Sequence, residues 1–256
     1  MNNPRYELGL KLPWMNAAGI LGFAPDADRR VDYSCLGVFV THPVSMSPRT
    51  PAHGRRYIPF PGGFLLHTGF PNPGFKAIVR RYRDAWRRSA VPVWVHLISH
   101  LPEEVEQMVL SLEELPGVSG IELGLASDID ASLAVPLIQA AQGELPLVVQ
   151  IPLDRVDELV AGIVKQYPRV VLSLGPPRGK LPVSGSGMLT GRMYGPAVFP
   201  KALMALERAL DYDASVIAGG GIYTQKQARL MLDAGALAVQ LDALIWRAGL
   251  QGWHFE

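Results

Sequence analysis

Residues 213–248, DASVIAGGGIYTQKQARLMLDAGALAVQLDALIWRA, constrain the fold more than any other stretch, because they read as strand, glycine turn, helix, strand and helix in succession. Ser215, Val216, Ile217 and Ala218 make an apolar run of strand length. Gly219, Gly220 and Gly221 follow it, where a backbone without Cβ atoms can turn sharply and approach a ligand. Thr224 stands at the N-cap of a helix whose apolar positions Ala228, Met231 and Leu232 recur at helical spacing, and Gly235 closes it. Residues 237–241 then form a second buried strand. Two parallel strands joined by one helix are a βαβ unit. A glycine turn feeding a helix N-terminus offers aligned N–H groups to an anion, and the last two strand loops of eight-stranded β/α barrels often hold a phosphate. The competing reading is a tight turn made for packing.

The alternation runs through the rest of the chain. Apolar runs predict strands over 13–19, 36–41, 93–98, 118–123, 145–151 and 170–174, which with the two above make eight. Between them the pattern predicts helices over 73–89, 102–115, 131–141 and 154–166 and another from about residue 199, with Pro102 and two glutamates opening one and Asp154 capping another. Two stretches break the pattern. Pro43, Pro48, Pro51 and Pro59 forbid regular structure until about residue 65, and a loop so long is a candidate lid or site wall. Six glycines and four prolines within 175–197 exclude a long helix or a central strand there. Eight repeats in 256 residues predict one domain, residues 1–256: an eight-stranded parallel β/α (TIM) barrel with a short N-terminal hairpin over 6–12. Its ligand face carries the loops at 16–24, 42–72, 124–130, 175–198, 219–223 and 241–244.

Charge and cysteine content exclude several function classes. A formal net charge of +1 with acids and bases interspersed leaves no basic face for nucleic acid. No stretch approaches the ~20 apolar residues of a membrane span, and the N-terminus lacks a basic start followed by an apolar core, so no membrane association is expected. The single cysteine, Cys35, is expected to be a free buried thiol in a reducing cytoplasm. No cysteine cluster is present to hold an iron–sulfur centre, and no metal site is expected.

Several segments in order resemble the dihydroorotate dehydrogenase family, the flavin mononucleotide (FMN) barrels that oxidise a carbon–carbon single bond of a small ring acid. MNAAG at 15–19 is similar to the family's Asn-Ala-Ser-Gly strand end, and FVTHPVSMSPR at 39–49 to its Val-Thr-Lys stretch. PGGFLLHTGFPNPG at 61–74 resembles its Asn-x-x-Gly-x-x-Asn substrate loop, and GIELGLASD at 120–128 the strand end that carries its catalytic Cys or Ser. GRMYGPAVFPKAL at 191–203 resembles Gly-Gly-Leu-Ser-Gly-Pro-Ala, and 218–222 the flavin-phosphate turn. The resemblance implies an FMN-dependent oxidoreductase of pyrimidine-metabolism type. It places Ser127 and His42 at the chemistry and His67, Thr68, Gly69 and Phe70 at the substrate. It places Ala17, Ala18, Gly19, Gln150, Gly195, Gly220, Gly221, Asp242 and Ala243 at the cofactor. A small-molecule substrate is the expected partner, with an electron-transfer protein and a homodimer left open.

This chain departs from the family pattern at the chemistry. The family lysine after Val-Thr is His42, the first substrate Asn is Leu66, and the Asn before the catalytic loop is Gly124. Ser127, Asp128 and Ile129 stand for Cys-Pro-Asn, Gln150 for the strand-five lysine, and Asp242 and Ala243 for the final phosphate Gly-Thr. Ser127 needs an acceptor such as His42 or His67 to act as a base, and otherwise reads as a turn cap. Arg178 and Lys180 are the better candidates for an acidic ligand. A carboxylate ~5 Å from a phosphate charge repels it by roughly 3 kcal/mol at an effective dielectric near 20, unless Asp242 instead caps the helix that follows it. Two further function classes stay open: a redox-inactive binding or regulatory barrel, and a flavin-free lyase or isomerase.

Overall fold

The structure, a computed structural model, describes residues 8–25, 31–183, 185 and 187–249. Eight parallel strands form the barrel: β1 Trp14–Asn16, β2 Phe39–Val40, β5 Val93–Leu97, β6 Val118–Gly124, β7 Leu147–Pro152, β8 Val171–Gly175, β11 Ser215–Gly219 and β12 Ala238–Leu241. They are ordered β1-β12-β11-β8-β7-β6-β5-β2, and a parallel bridge between Met15 and Val38 brings the two ends together. Helices α1 Phe75–Arg87, α2 Pro102–Glu113, α3 Ala131–Ala140, α4 Val156–Gln166, α5 Phe199–Leu210, α6 Gln225–Asp233 and α7 Ala243–Ala248 complete it. Thr224 and Gln227 form a reciprocal capping box on α6, and Pro102 starts α2 with Glu103 and Glu104 in its first turn. Of the N-terminal hairpin expected over 6–12, residues 6 and 7 lie outside the described residues, and 8–12 form a turn and bends, not a strand. Cys35 is a buried free thiol whose pKa burial pushes up to about 11.

Strand alternation sorts the core into two parts. Outward residues such as Phe39, Val95, Ile121 and Val149 pack under the helices, whereas Met15, Val38, Trp94, Val148, Val171, Ile217 and Ala238 fill the lower barrel interior. Gly120 leaves the room that the Trp94 indole occupies. The β1/β2 seam is held by a side chain: Asn16 Nδ2 donates to Val40 O at 2.6 Å and Asn16 Oδ1 accepts from Val40 N–H at 3.0 Å.

The two irregular stretches are ordered, contrary to expectation. They make a four-stranded antiparallel sheet, β3-β4-β10-β9, from β3 Tyr57–Phe60, β4 Gly63–Leu66, β9 Arg178–Pro182 and β10 Met188–Tyr194. Pro59 is tolerated because β3 is an edge strand, where a missing N–H can face away from the ladder. Gly191 does lie in a central strand: a Cβ there would meet Leu65 Cδ2 and Leu66 O at 2.6 Å, so the glycine is what allows β10 to pair with β4 so closely. Asp154 does not cap α4. A 3₁₀ turn at Leu153–Arg155 precedes that helix, and Asp154 Oδ2 instead accepts from the Arg178 N–H at 3.2 Å.

Candidate functional site

Above the apolar floor, the next inward-facing positions are polar. His96 on β5 pairs in register with Glu122 on β6, and both are fully buried. His96 Nδ1 lies 2.6 Å from Glu122 Oε2, while Glu122 Oε1 accepts from Ser173 Oγ at 2.7 Å and Gln240 Nε2 at 2.6 Å. Burial pushes the Glu122 pKa up, but the His96, Ser173 and Gln240 contacts outweigh it and hold the carboxyl below its ordinary range. An ionised Glu122 accepts, so the His96 nitrogen facing it, Nδ1, is the donor.

A cavity of about 240 Å³ opens at the C-terminal mouth over β5 and β6. The small sheet supplies Leu66, Arg178, Arg192 and Tyr194 to its wall, and the β5 and β6 ends supply Ile98, Ser99, His100 and 124–128. Arg49 and 67–70 complete it. Arg49 Nε donates to Gly69 O at 3.2 Å, and the Arg192 guanidinium lies 4.2 Å from the centre of the Phe70 ring and hydrogen-bonds Tyr194. Three arginines and two histidines against one lining carboxylate, Asp128, favour an anion. The size admits one small ring with its carboxylate and lies below the roughly 300–1,000 Å³ of sites for larger ligands.

The glycine turn after β11 lies elsewhere and faces protein. A Cβ on Gly220 would meet Leu153, Val198 and Ala202 side chains at 3.1–3.4 Å, one on Gly221 would meet the Phe199 backbone, and one on Gly195 that of Gly62 and Gly63. Asp242 is buried and caps α7, accepting from the Ala243 N–H, and the N–H groups of Gly221 and of Asp242 itself also face its carboxylate. Burial nevertheless pushes its pKa up to about 6. One donor expected to meet a phosphate, the Gly221 N–H, thus already faces an internal carboxylate. Between this carboxylate and the cavity stands buried Tyr194, stacked at 5.4 Å on Phe64 and 6.2 Å from Trp246, whose Nε1 ties α7 to Ile20 O at 2.9 Å. These residues do not fit a flavin mononucleotide.

The sequence-derived residues therefore separate. His67, Thr68, Gly69, Phe70, Ser127 and Arg178 line the cavity. Lys180 does not, and Ser127 O accepts from Arg155 at 2.7 Å. Half-buried His42 packs against Phe23 at 5.3 Å outside the lining, its pKa lowered by burial and then by His96. Ala17, Ala18, Gly19, Gln150, Gly195, Gly220, Gly221, Asp242 and Ala243 lie outside it as well. Ala17 N–H bonds Leu241 O, and the Gln150 amide packs on Gly175. Sequence reasoning missed Arg49, Arg192 and the His96–Glu122 pair. A parity count would have found the pair, since Trp94/His96 and Gly120/Glu122/Gly124 are i, i+2 positions on the inward face.

Fold and site together define a β/α barrel with a small arginine-lined cavity at the C-terminal mouth, the end where such barrels carry their function. The family model described as dihydroorotate dehydrogenase matches residues 5–127. The chain is 27% identical to the dihydroorotate dehydrogenase B (NAD(+)) catalytic subunit of Pelobacter propionicus over 91% of this chain and 84% of that one. It is 26% identical to the same subunit of Trichlorobacter lovleyi over 92% and 84%. A crystal structure of the Eimeria tenella dihydroorotate dehydrogenase with ferulenol superposes with a TM-score of 0.76 at 16% identity, covering 93% of this chain and 77% of that one, a likeness of fold. The chain thus resembles dihydroorotate dehydrogenases over most of its length.

Proposed function

We propose that this dihydroorotate dehydrogenase-like barrel binds a small ring acid in the arginine-lined cavity, and does so without the flavin its family resemblance implies. The observation that carries the reading is the separation of two places: an open anion-receiving cavity over β5 and β6, and a phosphate cradle faced by the carboxylate of Asp242. In this reading Arg192 and Arg178 meet the ligand carboxylate, Thr68 and Ser127 offer hydroxyls to its polar edge, and Phe70 bears on its ring. His42, Gln150 and the glycines of the β11 turn are framework, and no electron-transfer partner is needed.

The names of the relatives favour the other reading, FMN-dependent oxidation of a carbon–carbon bond in such an acid. Purified protein separates the two. A colourless preparation is expected, which binds orotate or dihydroorotate by calorimetry and does not quench added flavin mononucleotide. Arg192→Gln should weaken acid binding about tenfold or more, the loss of one charge-assisted hydrogen bond. A yellow preparation that releases the mononucleotide on denaturation would sink the proposal.

A further inference from the structure

His96 Nε2 is fully buried and has no hydrogen-bond partner, although Nδ1 of the same ring is held at 2.6 Å by Glu122. A buried polar atom left unpaired costs about 1–3 kcal/mol, so its persistence calls for a use. The ring rises from the Glu122 layer toward the mouth: a Cβ on Gly124, one inward position further along β6, would collide with Nε2 and lie 2.8 Å from Cε1. Gly124 itself lines the cavity. The ring therefore fills the place a Gly124 side chain would take and lies against a residue whose backbone lines the cavity. Glu122, fixed in turn by Ser173 and Gln240, accepts from the Nδ1–H and leaves Nε2 as the ring nitrogen turned away from it. A carboxylate orienting an imidazole whose second nitrogen is free is the arrangement of a general base.

We propose that His96, positioned by Glu122, exchanges a proton with a carbon acid held in the arginine-lined cavity beside Gly124. The inference rests on the small-acid reading above. Nε2 takes the proton from a ligand C–H next to a carbonyl, and the bonding pair stays on the ligand as an enolate whose oxygen charge faces Arg192. The proton, or one from solvent, then returns from Nε2 to the carbon. Nothing is oxidised or reduced, so the step consumes no co-reactant and supports exchange or isomerisation.

Dihydroorotate is the probe, incubated with the protein in D₂O and followed by proton NMR. Deuterium should replace hydrogen at the carbon next to the ring carbonyl at least about tenfold faster than in buffer. Glu122→Gln should still bind the probe, lose about tenfold or more in exchange, and change the shape of the pH–rate profile, with His42 the other titratable group facing His96. His96→Asn should bind without exchange. The ¹⁵N spectrum of the intact protein gives a second measurement: a protonated Nδ1 and a bare Nε2 whose resonance moves when the probe binds. Binding without exchange, exchange that persists in folded His96→Asn, or an Nε2 signal unmoved by bound probe would each overturn the role of His96. Absence of binding overturns the small-acid reading and this inference with it.

Discussion

Asp242 holds a carboxylate inside the protein with backbone N–H groups for company, and its raised pKa turns that position into a pH dependence. The folded protein binds this proton more tightly than the unfolded chain does. The favourable contribution is therefore fully present below the ordinary carboxylate range and is lost as pH rises through about 6. From the ordinary aspartate value of 3.8 to about 6 the difference is worth roughly 3 kcal/mol. Asp242→Asn should remove this slope, gaining on the parent by about that amount between pH 4 and 7.5 in urea melts. An unchanged slope would place the titration elsewhere. Gly124 supplies a second test at this scale. Gly124→Ala drives a methyl into the His96 ring and should cost roughly 1–3 kcal/mol by thermal melt, because a packed interior does not yield freely.

The small antiparallel sheet is the element that separates this chain from a bare barrel, since it brings Arg178, Arg192 and Tyr194 to the mouth. Its sequences looked irregular because proline and glycine lower strand propensity one residue at a time. β3 pairs with β4 and β9 with β10 locally, but the pairing that joins the two hairpins into one sheet links residues more than a hundred positions apart, Phe64 with Tyr194 and Leu66 with Arg192. No local window contains that information. Gly191→Ala should break the close approach of β10 to Leu66. Binding of a small acid should then fall about tenfold or more, protease cleavage within 178–194 should accelerate, and the barrel should retain its far-ultraviolet circular dichroism. Global unfolding instead would show that the sheet is integral to barrel stability.

At the scale of the molecule, the barrel is closed least securely between β1 and β2. There a single bridge and the Asn16 side chain stand in for a full ladder, whereas β5 through β8 share long registers. Asn16→Ala leaves the Val40 N–H and carbonyl without partners, at about 1–3 kcal/mol each. The variant should lose roughly 2–5 kcal/mol. In the parent, amide hydrogen exchange should reach Gly37 and Val40 before Leu123 or Val149. Equal protection around the barrel would mean the seam opens only with global unfolding.

The barrel itself was legible in the sequence, because each strand and helix announces itself through local periodicity and caps: the apolar run of β11, the Thr224–Gln227 box and the proline at the start of α2. So was the resemblance to dihydroorotate dehydrogenases, through ordered short motifs. The site was legible only in part. His67, Thr68, Gly69, Phe70, Ser127 and Arg178 could be placed at the mouth from their loops, and all six line the cavity. That Gly195, Gly220 and Gly221 face protein, that Asp242 turns its carboxylate to the backbone N–H groups beside it, and that His96 stands over Glu122 beneath Gly124 were decided by tertiary structure. A glycine in a sequence shows that a side chain is absent. Only packing determines what comes close in its place, and whether an N–H donor meets a ligand or the protein's own carboxylate.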